Sequence, residues 1–260
     1  MQLRVLGCSG GVRQGARTTA FLLDDDVLVD AGSGVGDLTL GEMAAIRHVF
    51  LTHCHLDHVA FLPLLLDTLF EALSDPARHP LTVHAQTVTL DALRSHIFNG
   101  VLWPDFTRLP HPEGPVVQLA PLEPGESYPL GGARTVTMVP GHHAVPTVGY
   151  HMEAPDTALA FSGDCTTNDD LWQGLNGCRR LDHLIVEAAF PDEQAELAAA
   201  AKHYTPASLA ADLSKLAHEP LVWITHTMPG KEARIVEQCR AAMPDREVRS
   251  LASGEVLPLR

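Results

Sequence analysis

Residues 51–61, LTHCHLDHVAF, bring His53, His55, Asp57 and His58 into six consecutive positions. Imidazole nitrogen and carboxylate oxygen are donors that zinc, manganese and iron accept. In extended chain alternate side chains share a face, so His53, His55 and Asp57 can converge from one short loop. His58 joins them if the chain turns there into a helix. The segment then offers more ligands than one tetrahedral cation needs, and the economical solution is two cations with the ligands divided between them. Cys54 sits inside the cluster and Cys165 follows an aspartate. Both read more simply as small buried residues beside a site.

The remaining ligands must come from elsewhere. VPGHHAVPTVGY supplies His142 and His143, either of which would serve. FSGDCTTND supplies Asp164, whose carboxylate can bridge two cations, and VWITHTMPG supplies His226. Five imidazoles, Asp57 and a bridging Asp164 fill two sites and leave room for water. With 15 histidines in the chain, a lone histidine at a strand end says little by itself. The 53–58 cluster says more, because packing four such side chains together has little structural purpose without an ion.

These residues sit where apolar runs stop. Strand-like runs are predicted at 3–7, 20–23, 27–32, 48–53, 136–143, 158–164, 183–190 and 221–226, each reaching an acidic, His or Gly position. Helical patterns lie between them, at 59–73, 87–98, 193–202, 206–217 and 230–243. Strands alternating with helices predict an α/β architecture. No linker or low-complexity stretch divides the chain, which predicts one domain over 1–260. The 59–73 helix, VAFLPLLLDTLFEAL, is apolar nearly all round, so it is expected to be buried in the chain or at a subunit contact. Pro63 suits its first turn.

THCHLDH resembles the HxHxDH signature of the metallo-β-lactamase superfamily. The order VDAG, HxHxDH, a histidine, SGD and a last histidine is similar to that superfamily over essentially the whole chain. The resemblance implies an αββα sandwich, two packed mixed β-sheets flanked by helices, with a dinuclear zinc site at one edge. It implies that Asp30 of VDAG orients a ligand from behind. HIFNGVLWPDF, EAAFPDEQAELAAAAKHYTPASLAADLSKL and ITHTMPG further resemble the class II 3′,5′-cyclic-nucleotide phosphodiesterases. HHAVPTVGY is also similar to the tRNA 3′-processing ribonucleases, and that alignment makes His143 the ligand.

The implied chemistry is hydrolysis of a cyclic phosphodiester. Two zinc ions lower the pKa of a shared water from 15.7 to about 7. The bridging hydroxide attacks phosphorus, Asp164 holds the two metals together, and by resemblance the P–O3′ bond breaks to give a nucleoside 5′-monophosphate. His203, in KHYTP, is the expected acid for the leaving oxygen. Phe98, Trp103 and Phe106 are close together in a chain only 5% aromatic, and are expected as a stacking platform for the base. Asn99 is expected to read a base edge. Glu187 is expected as a sheet-end acid with a structural role. The Gly-rich start, LGCSGGVRQGARTT, lacks the spacing and Lys of a P-loop and is expected to be a turn between the first strands.

Composition narrows the partners. The net charge of −14 and the lack of a basic stripe point to a small cyclic nucleotide (cAMP, with cGMP as the alternative) rather than long nucleic acid. Manganese or iron suit the donors as well as zinc. Five scattered cysteines without a CxxC pair fit a reducing compartment. Together with no signal peptide and no apolar stretch long enough for a membrane span, this makes a cytoplasmic protein the expectation. A homodimer is expected from the apolar helix and the superfamily's habits. The alternatives are a tRNA 3′-processing endonuclease, a lactone or thioester hydrolase of the same fold, and a metal-binding protein without activity.

Overall fold

The computed structural model describes residues 1–259. Two seven-stranded sheets face one another. The first runs in the order Val256–Pro258, Gln2–Gly7, Ala20–Leu23, Val27–Val29, His48–Phe50, Leu81–Ala85, Val117–Pro121. The second runs Val248–Ser250, Leu221–Thr225, His183–Glu187, Thr157–Phe161, Val148–Ala154, Arg134–Pro140, Ser127–Gly131. Each sheet is parallel at one side and antiparallel at the other. Both are therefore mixed, as the αββα expectation requires.

The pleat sorts side chains into three layers. Leu3, Val5, Phe21, Leu23, Val27, Val29 and Phe50 meet Val136, Met138, Leu159, Phe161, Ile185 and Trp223 between the sheets. Their strand neighbours Leu22, Leu28 and Val49 point the other way, under helices that include Leu62–Thr68 and Thr87–Ala92. Ala160, Leu184, Val186, Val222 and Ile224 do the same on the far side, beneath Asp170–Asn176, Pro206–Leu213 and Glu232–Ala242. Alternation of period two with both faces of the central strands covered confines water-exposed positions mostly to edge strands such as Ser127–Gly131 and Val117–Pro121. Tyr150 ties the sheets together, its hydroxyl donating to the Leu51 carbonyl at 2.7 Å.

The sequence-predicted strands exist, but several are shorter than expected at their donor-bearing ends. The 27–32 run stops at Val29, because Asp30 takes a left-handed backbone with φ +55°. The 136–143 run stops at Pro140 and the 221–226 run at Thr225, after which His226 is also left-handed, φ +56°. The donors thus sit on loops just past the strand tips. The single helix expected over 59–73 is three pieces, Leu56–Val59, Leu62–Thr68 and Phe70–Leu73. Pro63 has no N–H to continue from the first piece and instead occupies the first turn of the second. Leu62, Leu65 and Leu66 are buried against the first sheet, so most of this apolar surface is covered within the chain. Among the described residues no helix is long and apolar enough to cross a membrane.

Candidate metal centre

Every metal-ligand candidate of the sequence follows the C-terminal tip of a strand, and these tips meet along one edge of the sandwich, joined there by His203 from the loop between the helices Ala195–Ala201 and Pro206–Leu213. Three groups of donor atoms, each within 4.8 Å of one another, gather there. One is His53, His55 and His143. The second is Asp57, His58, Asp164 and His226. The third joins His143, Asp164 and His203. Asp164 stands between the first two, with its Oδ2 3.8 Å from His53 Nε2, 3.3 Å from His58 Nε2 and 3.2 Å from His226 Nε2. Asp57 Oδ2 lies 3.5 Å from His58 Nε2 and 3.8 Å from His226 Nε2. Two donors held at about 2.0–2.1 Å from one tetrahedral cation stand roughly 3.3–3.4 Å apart. These separations fit ligands better than hydrogen-bond partners.

The far nitrogen of most of these rings is engaged. His58 Nδ1 donates to Asp30 Oδ2 at 2.7 Å. His53 Nδ1 lies 2.9 Å from the Thr52 hydroxyl, which in turn contacts Asp30. Asp30 also accepts from the Thr52 N–H at 2.8 Å. His143 Nδ1 donates to the Lys202 carbonyl at 2.9 Å, and His226 Nδ1 lies 3.4 Å from the Thr19 hydroxyl. Each contact leaves Nε2 free to face the cluster. His55 differs, turning Nδ1 toward His143 Nε2 at 3.3 Å.

Three buried atoms at the centre, His53 Nε2, His58 Nε2 and Asp164 Oδ1, have no hydrogen-bond partner. Such orphans cost about 1–3 kcal/mol each, more when charged, unless something binds them. Burial pushes His53 well below the ordinary imidazole range and His143 down to about 4, leaving both neutral as ligation requires. Burial would raise Asp164, but the surrounding His226, His58 and His53 outweigh it and hold the carboxyl well below the usual range. A buried ionised carboxylate with an orphaned oxygen, ringed by imidazoles, fits divalent cations by its donor chemistry.

Beside the two clusters stands His203. Its Nδ1 lies 2.7 Å from Glu187 Oε1, and its ring stacks on His226 with centroids 5.3 Å apart. Burial pushes His203 down, yet the Glu187 carboxylate more than reverses this and lifts it to about 9. Glu187 is wholly buried and also accepts from the N–H groups of Cys165 and Ala189. Sequence reasoning gave Glu187 a structural part only. Its signal was available, since it too is a donor at a strand tip.

Other expectations are corrected. His142 is exposed, and its carbonyl accepts from the Thr166 N–H, so it anchors a loop while His143 turns inward. Cys54 and Cys165 belong to none of the donor groups, in keeping with their simpler reading as small residues beside the site. Phe98 and Phe106 are 2% exposed and packed in the layer under the first sheet, where they offer no face to a ligand. Asn99 is exposed, with its Oδ1 accepting from the N–H groups of Val101 and Leu102 instead of facing a base. Trp103 is half-buried against the same layer. The Gly-rich start is a turn, and it also braces the centre. The Cys8 carbonyl accepts from the His226 N–H at 2.7 Å, and a side chain at Gly10 would meet the His226 carbonyl at 2.7 Å.

Comparison with known proteins agrees with this geometry. The family described as "Beta-lactamase superfamily domain" matches residues 26–227. A probable 3′,5′-cyclic-nucleotide phosphodiesterase of Yersinia pestis is 27% identical over 81% of this chain and 71% of its own length. A ribonuclease Z of Mycobacterium bovis is 30% identical over 69% of this chain and 64% of its own. The crystal structure of unliganded yeast PDE1 superposes with a TM-score of 0.81 at 19% identity, covering 99% of each chain, a likeness of fold. With a ribonuclease among the relatives, acidic composition alone no longer speaks against a nucleic-acid substrate. The chain belongs to the metallo-β-lactamase superfamily as a hydrolase-fold member related to cyclic-nucleotide phosphodiesterases and ribonuclease Z.

Proposed function

We propose that the chain is a single-domain, dinuclear metal phosphodiesterase that hydrolyses 3′,5′-cyclic nucleotides to nucleoside 5′-monophosphates. The observation that carries this reading is the pair of donor clusters meeting at Asp164, with the His203–Glu187 pair alongside. His53, His55 and His143 would hold one cation; Asp57, His58 and His226 the other; Asp164 both. When bound, a pair of zinc, manganese or iron ions lowers the pKa of water enough to supply hydroxide at neutral pH and offsets charge on phosphoryl oxygens.

The chain's own residues supply the rest. Asp30 fixes His58 and, through Thr52, His53. Asp57 and Asp164 keep the donor set anionic. Glu187 holds His203 Nδ1, so Nε2 carries the proton that passes to the departing O3′ oxygen. That oxygen leaves as a strongly basic alkoxide, so general acid help there is worth about 10²–10⁴-fold in rate. The breadth of the match to the Yersinia phosphodiesterase supports a cyclic nucleotide as substrate.

A second reading is cleavage of a tRNA 3′ trailer, favoured by the 30% identity to ribonuclease Z. Metal-loaded protein assayed on cyclic AMP, cyclic GMP, a tRNA precursor and a lactone separates the two. Release of 5′-monophosphate from a cyclic nucleotide, at a kcat/KM well above the others, is expected. Turnover of the precursor alone would make it a processing ribonuclease. Turnover of the lactone alone, or of nothing, would remove phosphodiester hydrolysis from consideration.

A further inference from the structure

The helix Pro206–Leu213 begins three residues after His203 and buries Pro206, Leu209 and Leu213. Asp212 is buried with them, 3% exposed, where an aliphatic side chain would leave no polar group to satisfy. A carboxylate kept there must be held by donors, and four reach it. Its Oδ2 accepts from the Asn168 N–H at 3.0 Å, from Trp172 Nε1 at 3.1 Å and from the Tyr204 hydroxyl at 2.6 Å. Its Oδ1 pairs with Lys215 Nζ at 2.8 Å. Burial would raise the carboxyl, but Lys215, Tyr204 and the Asn168 N–H outweigh it and hold it below the usual range.

Two of those donors belong to the segments that bear Asp164 and His203. Asn168 follows Asp164 in the same loop, and Tyr204 is the residue after His203. The same two segments also meet at Glu187. Its Oε1 contacts the Cys165 N–H at 3.1 Å and His203 Nδ1 at 2.7 Å, and its Oε2 accepts from the Tyr204 N–H at 3.4 Å. Segment 164–168 is thus stapled to segment 203–204 twice, by Glu187 near the donors and by Asp212 behind them. One staple would let the His203 segment pivot; two fix its orientation. Tyr204 is wholly buried, so its ring has no slack to absorb such a pivot. The outcome is the close approach of His143, Asp164 and His203, whose donor atoms lie within 4.8 Å of one another.

We propose that Asp212, through Tyr204, is a positioning residue that fixes His203 against Asp164 for proton delivery to the leaving oxygen. The proposal rests on the phosphodiesterase reading and deepens it. It assigns a part in the reaction to a buried carboxylate that touches neither metal donor nor substrate.

Asp212→Asn removes the charge at nearly constant volume. Tyr204→Phe removes one hydroxyl and keeps the ring, which guards against a variant that fails to fold. With metal-loaded protein, each is expected to lower kcat on cyclic AMP roughly tenfold, with KM within about twofold of wild type and the metal content unchanged. An effect that runs through His203 vanishes once His203 is gone. In a His203→Ala background the same substitutions should therefore change kcat by less than about twofold, whereas a merely structural role would lower it there as much as in wild type. Amide hydrogen exchange on the same metal-loaded protein reads the staple without turnover. The amides of residues 165–168 and 203–205 should exchange roughly tenfold faster in Tyr204→Phe. Unchanged kcat in both variants, an equal loss in the His203→Ala background, or loss of metal overturns the proposal. So does exchange that stays at the wild-type rate in both segments. Faster exchange in the variant of a protein whose wild type releases no 5′-monophosphate would keep the staple and remove the phosphodiesterase reading.

Discussion

A histidine ligand is aimed by whatever its other nitrogen touches, and here one buried carboxylate aims two of them. Asp30 accepts from His58 directly and reaches His53 through the Thr52 hydroxyl. Asp30→Asn keeps the volume but loses the anionic acceptor. It is expected to weaken metal affinity about 10–100-fold, read by competition with a chromogenic chelator; unchanged affinity would mean the contact is only structural. His203 is the proposed general acid, held by Glu187 beside the donor clusters. His203→Ala is expected to leave the metal content intact and lower kcat on cyclic AMP by about 10²–10⁴-fold. Single-turnover kinetics checks this, and a full-rate variant would remove the general-acid assignment.

At the scale of elements, loops set just past strand tips bring the donors to one edge, and the sheet interior carries its own titration. His84, on Leu81–Ala85, lies between the sheets and stacks on Phe50 with centroids 4.4 Å apart. Burial, helped by the neighbouring His48, pushes it down to about 4. In the unfolded chain it titrates near the ordinary value of about 6.5. As pH falls below that value the unfolded state takes up the proton first. Stability contributed by neutral His84 is therefore complete above about pH 6.5 and is lost down to about pH 4, at up to about 1.4 kcal/mol per pH unit. Urea melts of wild type against His84→Gln should show a shallower fall in the variant between pH 6.5 and 4; parallel curves would refute the shift.

The element scale also shows why some features were legible and others were not. The strands that carry donors are apolar runs ending in His, Asp or Glu, a pattern written locally. Ser127–Gly131, with a Pro in mid-strand, and Val117–Pro121, at a sheet edge, alternate weakly and went unseen. Val148–Ala154 is buried on both faces although its sequence, VGYHMEA, reads as mixed. Its His151 lies against the Arg180 carbonyl at 2.8 Å, which only tertiary structure supplies.

For the whole molecule, the donor side chains that gather at the edge could be singled out in the sequence because only a few side-chain types suit a metal ion. Their division into two groups could not, since it depends on strand tips separated by as much as 173 residues, from His53 to His226. The Glu187–His203 pair and the burial of Phe98 and Phe106 are likewise consequences of packing. The proposed function converges on Asp164 as the ligand that two cations would share. The most direct test is the number of metal ions per chain, counted by elemental mass spectrometry on fully active protein and on Asp164→Asn. Two ions per chain in the active protein and one or fewer in the variant are the expected result. Full activity with a single ion or none, or two ions retained in the variant, would contradict it.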